Sequence, residues 1–361
     1  MNPTGKLHAL GQSLWLDNIT RGILDDGTLE RYIDDDSVTG LTSNPTIFDQ
    51  AIGNSGDYDE SIAAKAKQGL SGEALFFELA LEDLTRAADL FGKIHGQTQG
   101  VDGWVSLEVS PLLADDTQGT IAEAARLHAK AQRDNLFIKI PGTPAGIPAI
   151  EESIWNGVPV NVTLLFSREQ YLAAAEAYMR GIERRVAAGR DPKIGSVASL
   201  FISRWDVSVG DKAGEGLKNR LGIAIGQRTY KAYRDLLASD RWKKLEAAGA
   251  QPQRLLWAST GTKDPKAPDT LYVEALAAPD TINTMPEKTL LAFAEHGRLG
   301  EALPEDGGDA EQVIARFNKA GIDDKALAAQ LQQEGKDSFD KSWSQLLARI
   351  AQKSAALKGG K

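Results

Sequence analysis

Asn135-Leu136-Phe137-Ile138-Lys139-Ile140-Pro141-Gly142-Thr143 is an apolar run of strand length with one lysine set inside it. The apolar residues follow one another without alternating, which predicts a strand buried on both faces, as in a parallel sheet covered by helices. A cation in such a strand has its charged form disfavoured by desolvation, so the Lys139 pKa is expected to fall and part of the population to be free amine. A free amine attacks carbonyls, and with a ketose or an aldehyde it forms a Schiff base. The plainer use of such a lysine is to reach water at the strand end or to pair with a carboxylate. The rest of the chain decides between them.

Outward from that run, short apolar strands recur: Leu14–Asp17, Ser37–Leu41, Gly103–Val109, Leu136–Ile140, Val160–Phe166, Gly195–Ile202, Leu255–Ala258 and Thr281–Met285. Between them lie stretches with apolar spacings of three and four: Glu73–Leu90, Thr117–Arg133, Ala145–Asn156, Ser167–Ala188, Leu217–Ala248 and Lys288–Glu295. Ser167, with Glu169 and Gln170 behind it, and Thr117 carry helix-start chemistry. Eight strands alternating with helices predict an α/β fold, a (β/α)8 TIM barrel, because closure removes the unpaired edges of an open sheet. No linker divides the pattern, so residues 1–361 are expected to form a single barrel domain with 1–12 as an N-terminal extension. Asp309–Lys319 and Asp323–Lys353 have helical period and predict extra C-terminal helices outside the barrel, over about 300–353, before a frayed tail at 354–361. The acidic run Asp34-Asp35-Asp36 is expected to be a solvated turn.

A net charge of −9 and a pI near 5.2 argue against a general nucleic-acid surface and an anionic membrane, so an anionic substrate would require locally concentrated positive charge. Without cysteine there are no thiol nucleophiles, thiolate metal sites or disulfides. The four histidines, His8, His95, His128 and His296, are scattered, with His95 expected in a loop and His128 on a helix, which leaves little for a histidine metal site or a Ser/His/Asp triad. No signal-like or membrane-spanning apolar run is seen, and a cytoplasmic protein is expected.

In a barrel the chemistry gathers at the carboxyl ends of the strands. Polar residues recur at those positions: Asp17; Thr42, Ser43 and Asn44; Glu108; Lys139; Asn161 and Thr163, two apart and so on one face; Ser199, with Arg204 close behind. Singly each has an ordinary structural use, such as a cap, a turn or a surface pair. Together an amine, two carboxylates, several amides and hydroxyls and a cation aimed at one mouth describe a site.

Gly40-Leu41-Thr42-Ser43-Asn44-Pro45-Thr46-Ile47-Phe48, Leu136–Thr143 and Asn161-Val162-Thr163-Leu164-Leu165-Phe166-Ser167 resemble transaldolase, in order and at fitting spacing. The resemblance runs from about Leu14 to Met285, and the C-terminal helices resemble the longer bacterial type. It implies transfer of a dihydroxyacetone unit through a lysine Schiff base, from sedoheptulose 7-phosphate to glyceraldehyde 3-phosphate, giving erythrose 4-phosphate and fructose 6-phosphate in the non-oxidative pentose phosphate pathway. It also implies phosphorylated sugars as partners, with no cofactor and no metal. Many barrels of the family are dimers, although no surface stripe in this sequence demands a homodimer.

Carried onto matching positions, the resemblance makes Lys139 the Schiff-base lysine and Asp17 the acid/base for the C4 hydroxyl. Glu108 and Thr163 become the holders of a proton-shuttling water. Asn44, Asn161 and Ser199 become contacts to substrate hydroxyls, and Arg204 the phosphate-binding arginine. Where many transaldolases have a second phosphate arginine, this chain reads Trp257-Ala258-Ser259-Thr260-Gly261-Thr262-Lys263, leaving Lys263 to supply that charge or to face solvent beside Asp264. Asp17 and Glu108 have different tasks, so their environments are expected to push their pKa values apart. Two alternatives stay open at this point: a Schiff-base aldolase of the fructose 6-phosphate aldolase type, and a non-catalytic sugar-phosphate binding barrel.

Overall fold

The computed structural model describes residues 1–359. Ser13–Asp17 (β1), Val38–Thr42 (β2), Val105–Glu108 (β3), Leu136–Pro141 (β4), Val160–Leu165 (β5), Ser196–Phe201 (β6), Arg254–Ala258 (β7) and Ile282–Met285 (β8) close into one parallel barrel in sequence order, β8 pairing back onto β1. The α/β class and the (β/α)8 barrel are as the periodicity indicates. Every residue of β2 to β8 is buried, which is why these strands read as continuous apolar runs.

Helices Gly72–Gln97, Thr117–Ala131, Gly146–Trp155, Arg168–Ala187, Leu221–Ala238 and Glu287–His296 cover the outside of the sheet. Ser167 begins the fourth of these with a complete capping box: its hydroxyl accepts from the Gln170 backbone while the Gln170 side chain accepts from the Ser167 N–H. The expected continuous helix over 217–248 is instead broken in two. Ser239 takes an extended conformation, ends Leu221–Ala238, and caps Asp240–Ala247 through a bond to the Trp242 N–H.

Two local expectations are corrected. Asp34, Asp35 and Asp36 form the last turn of helix Thr28–Asp36, which stops where Ser37 turns left-handed at φ 57°. His95 lies in the final turn of Gly72–Gln97, its ring edge-on to Trp104 and its Nδ1 on the Asp102 carbonyl, because that helix runs past Leu90. Of the stretch 354–361 expected to fray, 354–359 continue the last helix and 360–361 lie outside the described residues. Ser354-Ala355-Ala356-Leu357 contains no helix breaker.

At the amino end of the barrel a buried polar cluster ties strands together. Asp102, just before β3, accepts from Ser13 Oγ, from Trp15 Nε1 at 2.8 Å and from the Gly103 N–H at 3.0 Å. Arg254 of β7 donates to Ser13 Oγ at 2.8 Å and to the Thr281 carbonyl at 2.9 Å. Above this cluster Trp15 and Phe137 approach with ring centroids 6.2 Å apart, and Trp104 stacks on Phe137 at 3.9 Å. Side chains two apart on a strand share a face, so this aromatic floor puts Asp17 and Lys139 one layer higher, toward the carboxyl mouth.

The final helix, Asp324–Gly359, has 36 residues and so is about 54 Å long. Its first half bonds to the exits of β4 and β5 and its second half runs along helices Pro45–Asn54 and Asp59–Lys67. It therefore lies across the carboxyl end of the barrel.

Candidate active site

Strand register assembles the chemistry. Glu108 pairs with Lys139 across β3 and β4, and Lys139 with Asn161 across β4 and β5. Lys139 is 5% exposed; its Nζ donates to the Ser43 carbonyl at 2.9 Å and stands 3.2 Å from Glu108 Oε2. That second approach is an ion pair, and among the described residues Oε2 has no partner other than Lys139. Thr163 Oγ1 is likewise buried without one. The next residue, Leu164, takes φ 58°, a left-handed conformation that disfavours a side chain by about 1–3 kcal/mol. Strain of this kind persists where surrounding structure holds it, and here Gln332 donates to the Leu164 carbonyl at 2.9 Å.

A cleft of about 120 Å³ at this mouth is lined by Asp17, Asn44, Lys139, Thr163, Ser199, Arg204 and Lys263, together with residues the sequence did not single out for the site. Glu108 sits behind Lys139, and Asn161 behind Ser199, whose hydroxyl donates to Asn161 Oδ1 at 2.7 Å. Asn161 in turn donates to Ser106 Oγ at 3.1 Å, so both its polar ends are held by protein. Asn44 caps helix Pro45–Asn54 through Oδ1, which accepts from the Ile47 N–H at 3.0 Å, and among the described residues its amide NH2 has no hydrogen-bond partner.

Burial raises the Asp17 carboxyl above the usual range, opposed by Lys139, by a 2.7 Å bond from Thr42 and by Lys263. Burial also raises Glu108, opposed by Lys139 and reinforced by the negative charge of Asp17. Both carboxyls move up because burial outweighs the opposing charge of the lysine they share. Arg204 is held below the usual guanidinium range by burial, partly offset by Glu334, and has no carboxylate at ion-pair distance among the described residues. A half-buried guanidinium with forked donors is chemically suited to an anion. Lys263 is exposed, as the solvent-facing alternative expected, yet it lines the same cleft, which thus gathers positive charge inside a chain of net charge −9. Among the described residues no three His, Asp or Glu side chains converge as a metal site.

The family model for transaldolase/fructose-6-phosphate aldolase matches residues 14–350. The chain belongs to that family. A transaldolase of Frankia alni is 45% identical, covering 97% of this chain and 97% of its own length. Transaldolases of Arthrobacter sp. strain FB24, 44% identical over 96% of each chain, and of Neisseria gonorrhoeae, 43% identical over 95% of this chain and 97% of its own, are also similar.

Of the nine site residues singled out in the sequence, the transaldolase-family fold brings seven to the cleft wall and keeps Glu108 and Asn161 immediately behind it. The sequence reading missed Thr284, Phe201, Ala258, Ser259, Pro286 and Phe339 as lining residues, whereas the loop around Gly261 was expected to offer backbone amides beside Lys263. Thr284 had a usable signal, a polar residue one position before the end of β8, where it meets Thr42 at 2.7 Å. Phe339 had none, since it reaches the cleft from a helix remote in sequence.

Proposed function

We propose that this chain is a transaldolase that carries dihydroxyacetone on Lys139 from sedoheptulose 7-phosphate to glyceraldehyde 3-phosphate, yielding erythrose 4-phosphate and fructose 6-phosphate. The supporting observation is the buried amine of Lys139 beside Glu108, in a cleft that also holds Asp17 and an unpaired Arg204.

Each residue then has a task. The neutral Lys139 amine adds to C2 of the ketose, and the resulting hydroxyl leaves as water after protonation from Glu108. Glu108 Oε2, paired only with Lys139, and the unpartnered Thr163 Oγ1 suit a water shared between them, through which that proton travels. In the iminium, nitrogen withdraws electrons: Asp17 takes the C4 hydroxyl proton, the C4 oxygen forms the aldehyde, and the C3–C4 pair becomes the enamine double bond. The second aldehyde reverses these steps, with Asp17 returning the proton to the new alkoxide. Asn44 and Ser199 orient hydroxyls, Asn161 from behind the wall positions Ser199 in place of the substrate contact expected of it, and Arg204 and Lys263 hold the phosphate.

Arg204 and Lys263 would serve donor and acceptor alike, because both substrates end in the same dianionic group. The proposal extends to a cytoplasmic enzyme of the non-oxidative pentose phosphate pathway, and to a homodimer that light scattering would reveal; among the described residues no helix is long and apolar enough to cross a membrane. A coupled transfer assay on wild type and Lys139→Ala tests the activity: transfer in the first and none in the second are expected. Free dihydroxyacetone from fructose 6-phosphate alone, at a rate matching transfer, would instead identify an aldolase.

A further inference from the structure

The enamine on Lys139 must survive while one aldose leaves and another enters, and the residue facing that interval comes from outside the barrel. Phe339 lies on the C-terminal helix, is 5% exposed, and lines the same cleft as Lys139, Asp17 and Arg204. Among the described residues it is the one residue of that helix on the cleft wall.

The helix is fastened on both sides of Phe339. Gln332 donates to the Gly142 carbonyl at 3.0 Å and the Leu164 carbonyl at 2.9 Å, thereby gripping the exits of the strands that carry Lys139 and Thr163. Lys336 bonds Asp115 at 2.5 Å, Ser342 meets Thr46 at 2.8 Å, and Trp343 donates to Glu73 at 2.9 Å. Gly335 permits the close approach: a Cβ there would stand 2.9 Å from Leu164 Cδ2, with Phe166 just beyond. Phe166 packs on Phe201, another cleft-lining ring, at 5.2 Å. An aromatic side chain with no hydrogen-bonding atom is thus held over a site whose other walls are largely polar.

We propose that Phe339 sets the choice between transfer and release by keeping solvent from the enamine. This rests on the transaldolase function proposed above. Release of the three-carbon unit needs a proton added at C3, turning the enamine into an iminium, then water at C2, with the Lys139 amine leaving as dihydroxyacetone forms. Transfer instead forms a bond from C3 to the acceptor aldehyde carbon, and the alkoxide takes its proton from Asp17. Both routes start from one intermediate. The apolar cover suppresses only the route that uses a solvent proton at C3, because the acceptor brings its own carbon.

The test measures, for wild type, Phe339→Ala and Phe339→Leu, the ratio of free dihydroxyacetone to transferred product, with fructose 6-phosphate as donor and erythrose 4-phosphate as acceptor. A ratio per turnover does not depend on how much of a variant folds. Phe339→Ala is expected to raise it roughly tenfold and Phe339→Leu to bring it back near wild type. Gln332→Ala, which loosens the anchorage, should raise it less. Borohydride reduction of each protein with fructose 6-phosphate runs alongside. An adduct on Lys139 in every protein with an unchanged ratio would overturn the role of Phe339 alone. No adduct even in wild type would overturn the Schiff-base function beneath it.

Discussion

The two ends of this barrel use similar residues to opposite purpose. At the amino end Asp102 accepts three hydrogen bonds and Arg254 spends its donors on Ser13 and the Val101 and Thr281 carbonyls. At the carboxyl end burial holds the Asp17 carboxyl up, and among the described residues Thr163 Oγ1 lacks a hydrogen-bond partner, Glu108 Oε2 has only Lys139, and Arg204 has no carboxylate at ion-pair distance. Buried polar groups that satisfy one another stabilise a fold; those left with unused capacity are available to a substrate. The contrast holds between these two clusters and not for every atom at either end, since Gln12 Oε1 and Gln253 Oε1 beside the amino-end cluster also lack partners among the described residues.

Asp17→Asn sharpens that contrast most. Loss of a group that moves a proton should lower kcat by about 10²–10⁴-fold. Stability should not fall with it: the raised folded-state pKa means ionised Asp17 opposes folding as pH rises through that value, so its removal leaves the denaturation midpoint at pH 7 unchanged or higher. A large loss of stability in this variant would place Asp17 with the structural groups.

Asp102→Ala should do the reverse. Stranding the Ser13 and Trp15 donors is expected to reduce stability by about 2–4 kcal/mol, read from urea unfolding, while kcat/KM per folded molecule stays within about twofold. Arg204→Met removes charge-assisted bonds of about 1.5–3 kcal/mol, so KM for the phosphorylated sugar should rise roughly 10- to 150-fold. The unphosphorylated sugar should lose little.

The smallest effect is in the pH profile. Because burial raises Asp17, the acid limb of kcat/KM should lie above the usual aspartate range of about 4. Lys263 holds that carboxyl down, and Lys263→Gln should therefore move the limb to still higher pH. A limb that moves down or stays in place would remove Lys263 from the neighbourhood of the carboxyl.

Much of this was legible in the sequence because the barrel imposes two simple periods. Strands enclosed on both faces leave unbroken apolar runs, and a polar residue inside one, such as Lys139 or Glu108, then stands out. The break at Ser239 was hidden because its neighbours keep helical spacing through it. Leu164 gave no warning of its left-handed backbone, since nothing local favours it and a bond from Gln332 holds it. Phe339 escaped for the same reason: its place depends on a helix docked across the mouth, a tertiary fact that no local window contains. The joint rise of Asp17 and Glu108 required coordinates, because relative burial of two carboxyls is not a property of spacing.

The central claim is a covalent bond at one nitrogen. Incubation with fructose 6-phosphate, reduction by borohydride and mass analysis of the peptides should find the three-carbon or six-carbon adduct on Lys139, and on no other lysine. Transfer activity that persists without any reducible adduct at Lys139 would contradict the account.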